Sequence, residues 1–456
     1  MLGYAALAIL ILSAAAYLFA RRKAALLGAN ERLHSRPAYH GLLALMATLI
    51  PAILLIVAGD ALYAGWMHAR LEGLIAERAP TLPAIEVELV IRDAAAIAEG
   101  RLPSAAGALR DAVADAFARL DFWRQAVVGG LSLALAVGAA WSVTRRVDLD
   151  FRARNLAERG VTWLLLACAG VAVLTTLGIL AALLGETLIF FNRIDWQVGA
   201  FLFGTTWSPL SGVFEGSLDA DKVGALPLFA GTLMITVIAL LVAIPIGLFS
   251  AIYLSEFAGP KTRATVKPLL EILAGIPTVV YGFFAAITVA PWLRDVGEAV
   301  GLEVSSQSAL AAGAVMGIMI IPFISSLSDD VINAVPNSLR EGSLGLGATQ
   351  AETIRKVVLP AALPGIVSAG LLGFSRAVGE TMIVVMAAGQ AANLTANPLE
   401  TVTTVTVQIV TLITGDTEAD TAGPPAFALG FTLFFITLVL NMIALRIVNR
   451  YREAYE

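Results

Sequence analysis

Residues 335–360 have the sequence VPNSLREGSLGLGATQAETIRKVVLP, and this stretch predicts two short helices joined at a glycine corner. Gly347 suits the left-handed backbone conformation that commonly ends a helix, because it has no Cβ. Thr349 and Glu352 have the spacing of a capping box, in which two side chains satisfy the open backbone donors of a new helix. The sequence therefore predicts a helical elbow here.

The first of these helices needs a cap and leaves an apolar face. Asn337 or Ser338 can supply the side-chain acceptor at its start. Leu339, Leu344 and Leu346 form an apolar ridge that the short elbow cannot bury by itself. Exposed apolar ridges mark surfaces for a partner.

The composition is that of an integral membrane protein. Of the 456 residues, 58% are hydrophobic and 14% are charged, whereas soluble domains have about 25% charged residues. No basic cluster is interleaved with aromatic residues, which argues against nucleic-acid binding. Cys168 is the single cysteine, so no disulfide can form within the chain.

Apolar runs of membrane-spanning length recur along the whole chain, since a span needs about 20 such residues. The first run, Leu2 to Ala20, is followed rather than preceded by basic residues, which indicates a retained helix and not a signal peptide. The sequence predicts an all-α protein with about nine transmembrane helices, near residues 2–20, 41–67, 125–144, 161–190, 226–254, 265–292, 309–332, 359–388 and 426–447.

Basic residues gather in alternate connections, including 21–36, 145–159 and 340–356, and in the tail. The connection 389–425 has acidic residues and no Lys or Arg. Because basic loops stay cytoplasmic, we expect the N-terminus outside and the C-terminus in the cytoplasm.

Two domains are predicted. Residues 1–160 hold three spans and a polar segment at about 68–124. There Ile85 to Leu89 alternate as in a strand and residues 104–122 have helical composition, which predicts a small extracytoplasmic α/β module. A loosely structured connector is the alternative. Residues 161–456 form a six-span block.

Arg376 and Glu380 lie near the middle of the eighth predicted span, where a charge costs about 2.5–3.5 kcal/mol. They should therefore face protein or water. A spacing of four places both on one helix face, where they can pair. Two interpretations stay open: the pair only joins helices, or the arginine fork binds an oxyanion in a transport path.

The elbow resembles the EAA loop of ABC importer permeases, with Glu341 six residues before Gly347. The two alanines of the family pattern are Gly342 and Ser343 here. The resemblance implies that residues 336–358 dock into an ATPase subunit, chiefly through Glu341, Gly342, Leu344, Gly347 and Ala348. The chain has no G-x-x-x-x-G-K-[ST] phosphate loop, so ATP hydrolysis is expected in separate subunits and no enzyme activity in this one.

Residues 375–381, SRAVGET, resemble a stretch of the phosphate transporter permease family PstC. Residues 203–207, 275–282 and 322–330 resemble the same family, so the resemblance covers about the last 260 residues. It implies a substrate pathway that includes Ser375, Arg376, Glu380 and Thr381.

The resemblance further implies a type I ABC importer permease core and import of inorganic phosphate, with no cofactor and no metal. Implied partners are a second, PstA-like permease, two PstB-like ATPase subunits and a PstS-like extracytoplasmic phosphate-binding protein, in a bacterial inner membrane. The alternatives are a permease for another oxyanion such as molybdate or sulfate, and a membrane sensor or regulatory scaffold that uses residues 68–124. A secondary transporter is disfavoured by the docking loop.

Overall fold

Long apolar helices form the framework of the protein, because lipid offers no partner for a free backbone N–H or C=O. The computed structural model describes residues 2–29, 32–102, 107–209, 219–415 and 419–452. Within these ranges nine helices are long and apolar enough to cross a membrane. The only extended pairing there is an isolated bridge between Trp207 and Val223. The prediction of an all-α membrane protein with about nine spans is confirmed.

The chain divides into two compact units, Met1–Thr175 and Thr176–Glu456. The division falls inside a long helix, and the predicted boundary at residue 160 stays a prediction. The helices of the first unit are α1 (Leu2–Leu27), α2 (Pro37–Arg78), α3 (Ala84–Ala98), α4 (Ala108–Arg145) and the start of α5 (Ala153–Arg193).

The second unit contains the end of α5 and twelve further helices within the described residues. They are α6 (Val198–Phe203), α7 (Leu226–Ile252), α8 (Pro260–Ala274), α9 (Thr278–Phe284), α10 (Ala290–Ala299), α11 (Ala309–Ala334), α12 (Asn337–Gly345), α13 (Gln350–Thr353), α14 (Leu359–Val378), α15 (Met382–Ala387), α16 (Val405–Thr414) and α17 (Ala419–Arg452). Single π-helical turns extend α7 at Tyr253–Phe257, join α9 to α10 at Ala285–Val289, and join α13 to α14 at Ile354–Val358.

The polar segment of the first unit is helical, and the predicted strand at Ile85 to Leu89 is wrong. These residues lie in α3. Their alternation is only five residues long, whereas Val87, Val90, Ile91 and Ala94 continue at helical spacing and pack on Leu71 and Ile75 of α2. The extracytoplasmic α/β module is therefore replaced by a bundle of α3 with the ends of α2 and α4. The start of the predicted helix 104–122 lies outside the described residues.

The sixth predicted span is also displaced. Instead of one helix over 265–292, α8 ends at Ala274 and a new span runs from Thr278 to Ala299. Pro277 causes the break, since proline has no N–H and disfavours helical backbone in the residue before it.

In the second unit, α7 and α11 pack along a seam of small residues. A Cβ on Gly317 would lie 2.8 Å from the backbone oxygen of Ala239, and one on Gly247 would lie 2.9 Å from Ile324. Small residues allow close approach where no water drives helices together. Tyr281 of α9 and Ile383 of α15 complete the same core.

Replacing Gly317 by alanine should lower the thermal unfolding temperature of the purified protein. The new methyl group would force α7 and α11 apart, and overpacking costs about 1–3 kcal/mol. Gly370→Ala is the matched control, because its Cβ would meet only Ile244 Cδ1 at 3.9 Å. Alanine favours a helix by about 1 kcal/mol over glycine, so the control should be neutral or stabilising. Equal unfolding temperatures would contradict a tight seam.

Candidate functional site

The elbow forms as two helices around a left-handed glycine. α12 ends at Gly345, and Gly347 has φ +88°. The Thr349 hydroxyl accepts the backbone N–H of Glu352, while the Glu352 carboxylate accepts the backbone N–H of Thr349 at 3.1 Å. The predicted corner and capping box are confirmed. The predicted cap at Asn337 or Ser338 is wrong, because α12 begins at Asn337 after Pro336 and has no side-chain cap.

The outward surface of the elbow is apolar. Leu339 is 47% exposed, Leu344 49% and Leu346 91%. Glu341 and Gly342 are also exposed on α12, and Ala348 is half-buried beyond the corner. The structure thus presents the predicted docking residues together on one protruding element, although their docking role stays a prediction.

The elbow is tied to the ends of α7 and α11 by polar contacts that sequence reasoning missed. Arg340 forms an ion pair with Glu256, whose side chain is 10% exposed, and donates to the Ile332 carbonyl at 2.6 Å. Gln350 donates to the backbone oxygen of Glu256 at 2.8 Å. Both helices of the elbow therefore contact Glu256, which lies in the π-helical turn at the end of α7.

A second missed cluster lies beside the elbow, around the buried carboxylate of Asp329 on α11. Arg263 Nη2 lies 2.9 Å from both carboxylate oxygens, and Lys267 Nζ lies 2.8 Å from one of them. Asn333 donates to the same carboxylate at 2.9 Å. α8 is thereby fastened to α11. Lys267 therefore does not pair with Glu271, which lies four residues further along α8 and is exposed.

The hydrogen bond to Asp329 raises the pKa of Lys267, and the nearby carboxylate charges add to it. A raised pKa means that the charged form is favoured by folding. The contribution of Lys267 is therefore complete at neutral pH and is lost only in strongly alkaline solution, as the pH rises through the folded-state pKa.

The eighth span is broken where a continuous helix was predicted. α14 ends at Val378, and α15 begins at Met382. The buried Glu380 carboxylate accepts the backbone N–H groups of Met382 at 3.0 Å and Ile383 at 3.3 Å, so it caps α15. The Glu380 carbonyl accepts the Thr406 hydroxyl at 3.0 Å. The break is thus satisfied inside the protein.

Arg376 does not pair with Glu380, so the predicted pairing is wrong. Its guanidinium carbon lies 4.2 Å from the ring centroid of Phe323, and the side chain is exposed. Across the described ranges it has no hydrogen-bond or ion-pair acceptor. Phe323 lies about 21 Å from the start of α11 and about 17 Å from its end, counting 1.5 Å per residue. Arg376 therefore lies beside the middle of α11 as a cation without an acceptor among the described residues.

The remaining predicted pathway residues point in other directions. The Ser375 hydroxyl donates to Asn441 Oδ1 of α17 at 3.2 Å. Thr381 is half-buried at the start of α15, and its carbonyl accepts the Val385 N–H. The four residues thus lie around one break in the span, and among the described residues neither the Arg376 guanidinium nor the Thr381 hydroxyl has a hydrogen-bond acceptor.

Comparisons with known proteins agree with this architecture. Residues 6–175 match a family model described as a phosphate ATP-binding cassette transporter, and residues 243–453 match the binding-protein-dependent transport system inner membrane component. The probable ABC transporter permease YqgH of Bacillus subtilis is 35% identical over 60% of this chain and 85% of its own. PstC of Mesorhizobium japonicum, a phosphate transport system permease protein, is 31% identical over 58% of this chain and 83% of its own.

The chain belongs to the ABC transporter permease family that includes PstC. A permease of this family is a multi-pass membrane component that works with ATPase and other subunits. Among solved structures, an inward-facing form of the MetNI methionine ABC transporter aligns with a TM-score of 0.38 at 21% identity. The alignment covers 54% of the present chain and 98% of the MetNI chain.

Replacing Asp329 by asparagine should lower the unfolding temperature of the permease, because Arg263 and Lys267 lose their shared acceptor charge. Both cations are about one third exposed and can be rehydrated, so we expect a loss of about 1–3 kcal/mol. Asp330→Asn is the matched control, since that side chain is 64% exposed. An equal decrease in unfolding temperature for both variants would show that burial of the Asp329 cluster adds no stability beyond that of an exposed carboxylate.

Proposed function

We propose that this chain is the permease subunit of an ATP-driven importer of inorganic phosphate, and that Arg376 meets the ion in the pathway. One observation supports this most directly: an arginine beside the middle of α11 whose donors find no acceptor in the described part of the chain. A cation in hydrocarbon is costly, and intramembrane charges usually mark an ion path. The names of the relatives and of the N-terminal family model support phosphate as the ion.

The chemistry of Arg376 suits a phosphate oxyanion. A planar guanidinium donates two parallel hydrogen bonds to two oxygens, while its ring contact with Phe323 holds the fork in place. Glu380 is kept away from the arginine by the N–H groups that it caps. An acceptor-free guanidinium can therefore bind an anion without first breaking an internal salt bridge.

The elbow supplies a route from ATP hydrolysis to this arginine. Arg340 and Gln350 hold Glu256 at the end of α7, and Arg340 also holds the end of α11. α7 and α11 pack through their glycine seam, and α11 carries Phe323 beneath Arg376. A docked ATPase that moves the elbow would therefore move these helices and alternate the opening of the path.

The assembly that we propose contains a second, PstA-like permease, two PstB-like ATPase subunits and a PstS-like phosphate-binding protein outside the membrane. The chain itself performs no bond chemistry, and ATP is hydrolysed by the partner subunits. We place the complex in a bacterial inner membrane, with the N-terminus outside and the elbow and C-terminus in the cytoplasm, as the basic connections indicate.

Arg376→Gln should abolish uptake of radiolabelled phosphate by the reconstituted complex, because the neutral amide cannot offer a charged fork. Arg376→Lys should retain partial uptake, since it keeps the charge but not the planar geometry. Arg294→Gln, on α10, is the control and should transport normally. Co-purification of the partner subunits must be unchanged in all three.

Normal uptake by Arg376→Gln in an assembled complex would refute the pathway role. Competition by unlabelled anions tests the choice of ion. Molybdate or sulfate that displaced phosphate at lower concentration would replace phosphate as the assigned substrate.

Gly347→Ala should weaken coupling, because an L-residue in the left-handed conformation costs about 1–2 kcal/mol. We expect ATP hydrolysis to continue while phosphate uptake falls several-fold. Gly345→Ala is the matched control: neither glycine has an atom within 4 Å of an added Cβ, and only Gly347 has positive φ. The ratio of phosphate transported to ATP hydrolysed is the measurement, and an unchanged ratio in Gly347→Ala would contradict the elbow's role.

A further inference from the structure

The first unit contains a cavity of about 380 Å³ between α2 and α4 that the proposed transport mechanism does not use. Its floor is formed by small and apolar side chains, and its rim by two arginines and one glutamate. The lining residues are Ala69, Arg70, Leu71, Gly73, Leu74, Glu77, Ala116, Arg119 and Leu120.

The two rim arginines are available to a ligand. Within the described residues Arg70 has no ion pair or hydrogen bond, and Arg119 uses only its Nε, toward the backbone oxygen of Asp115 at 3.2 Å. By contrast, Arg124 on the same helix is already paired with Asp60 and Asp121. The cavity is therefore lined by two guanidinium groups whose Nη donors are unused and can bind one phosphodiester.

The cavity lies at the height of lipid headgroups. Trp66 on α2 and Trp123 on α4 are more than half exposed, and exposed tryptophans mark the membrane–water boundary. Arg70 and Arg119 each lie four residues beyond their tryptophan, which is about 6 Å along the helix. On the membrane side of the tryptophans, Leu62 and Leu131 are exposed apolar residues that acyl chains can cover.

Glu77 distinguishes among possible headgroups. It lies on the same lining as the arginines and has no partner among the described residues. A headgroup with a phosphodiester and an ammonium donor matches two cations and one carboxylate, whereas a purely anionic headgroup leaves Glu77 unmatched.

We propose that the cavity binds the headgroup of a phosphatidylethanolamine from the leaflet that faces the α2–α3–α4 bundle. Arg70 and Arg119 hold the phosphodiester, and Glu77 accepts the ammonium group. The bound lipid anchors this bundle at the membrane surface. The proposal does not depend on the transported ion.

Native mass spectrometry of the full chain, titrated with phosphatidylethanolamine, tests the site. The double variant Arg70→Gln and Arg119→Gln should bind at least tenfold more weakly, because charged hydrogen bonds to phosphate are lost. Arg92→Gln, an exposed arginine of α3 outside the cavity, is the control and should bind normally. Equal affinity in the double variant would overturn the proposal.

Two further measurements separate the alternatives. Glu77→Gln should reduce the preference for phosphatidylethanolamine over phosphatidylglycerol, and an unchanged preference would overturn the role of Glu77. Gly73→Leu should fill the cavity and displace the lipid, since its added Cβ meets no atom within 4 Å. If inorganic phosphate displaced the lipid from the unaltered chain, the site would belong to the free ion and the lipid proposal would fail.

Discussion

Backbone hydrogen bonding inside the membrane is the constraint on which the rest of this structure depends. A helix satisfies its own N–H and C=O groups, so a break at membrane depth is tolerated only where the protein supplies replacements. The break between α14 and α15 meets this condition, because Glu380 accepts two N–H groups and Thr406 donates to the Glu380 carbonyl. Because the Glu380 carboxylate accepts these backbone N–H groups, it does not pair with the nearby Arg376, which has no acceptor among the described residues. A structural demand on the backbone thus creates the free cation to which we assign the anion path.

Structural and functional residues are likewise separate at the end of the second unit that carries the elbow. Charges that hold helices together are paired and largely buried, as Asp329 is with Arg263 and Lys267. Residues with an assigned docking role are instead exposed and apolar, as Leu346 is on the elbow. A contact that transmits force requires two things. The helices behind it, which form its base, must be held firmly, because a flexible support would absorb the motion, and its surface must still be free to bind a partner. Arg340 belongs to the base, and its pair with Glu256 makes the elbow an extension of α7.

Much of the fold could be predicted from local pattern. The number of membrane-spanning runs, the left-handed Gly347 and the capping box at Thr349 depend on hydrophobicity and on residues within one helical turn, and the structure agrees with these three predictions. Predictions failed where a short pattern competed with a longer one or where a continuous run contained a break. Ile85 to Leu89 alternate over five residues but continue at helical spacing into α3. The run 265–292 looked continuous in hydropathy, yet Pro277 divides it.

The sequence by itself determined that this protein lies in a membrane, how many of its segments are long and apolar enough to cross it, and where a glycine corner lies, because these features depend on composition and near neighbours. Only the tertiary structure decided which charges meet. Lys267 joins Asp329, 62 residues away, and not Glu271; Arg376 lies on Phe323 and not beside Glu380. The physical reason is that the partner of a side chain is set by helix packing and by breaks in helices, neither of which is visible in residue spacing along one chain.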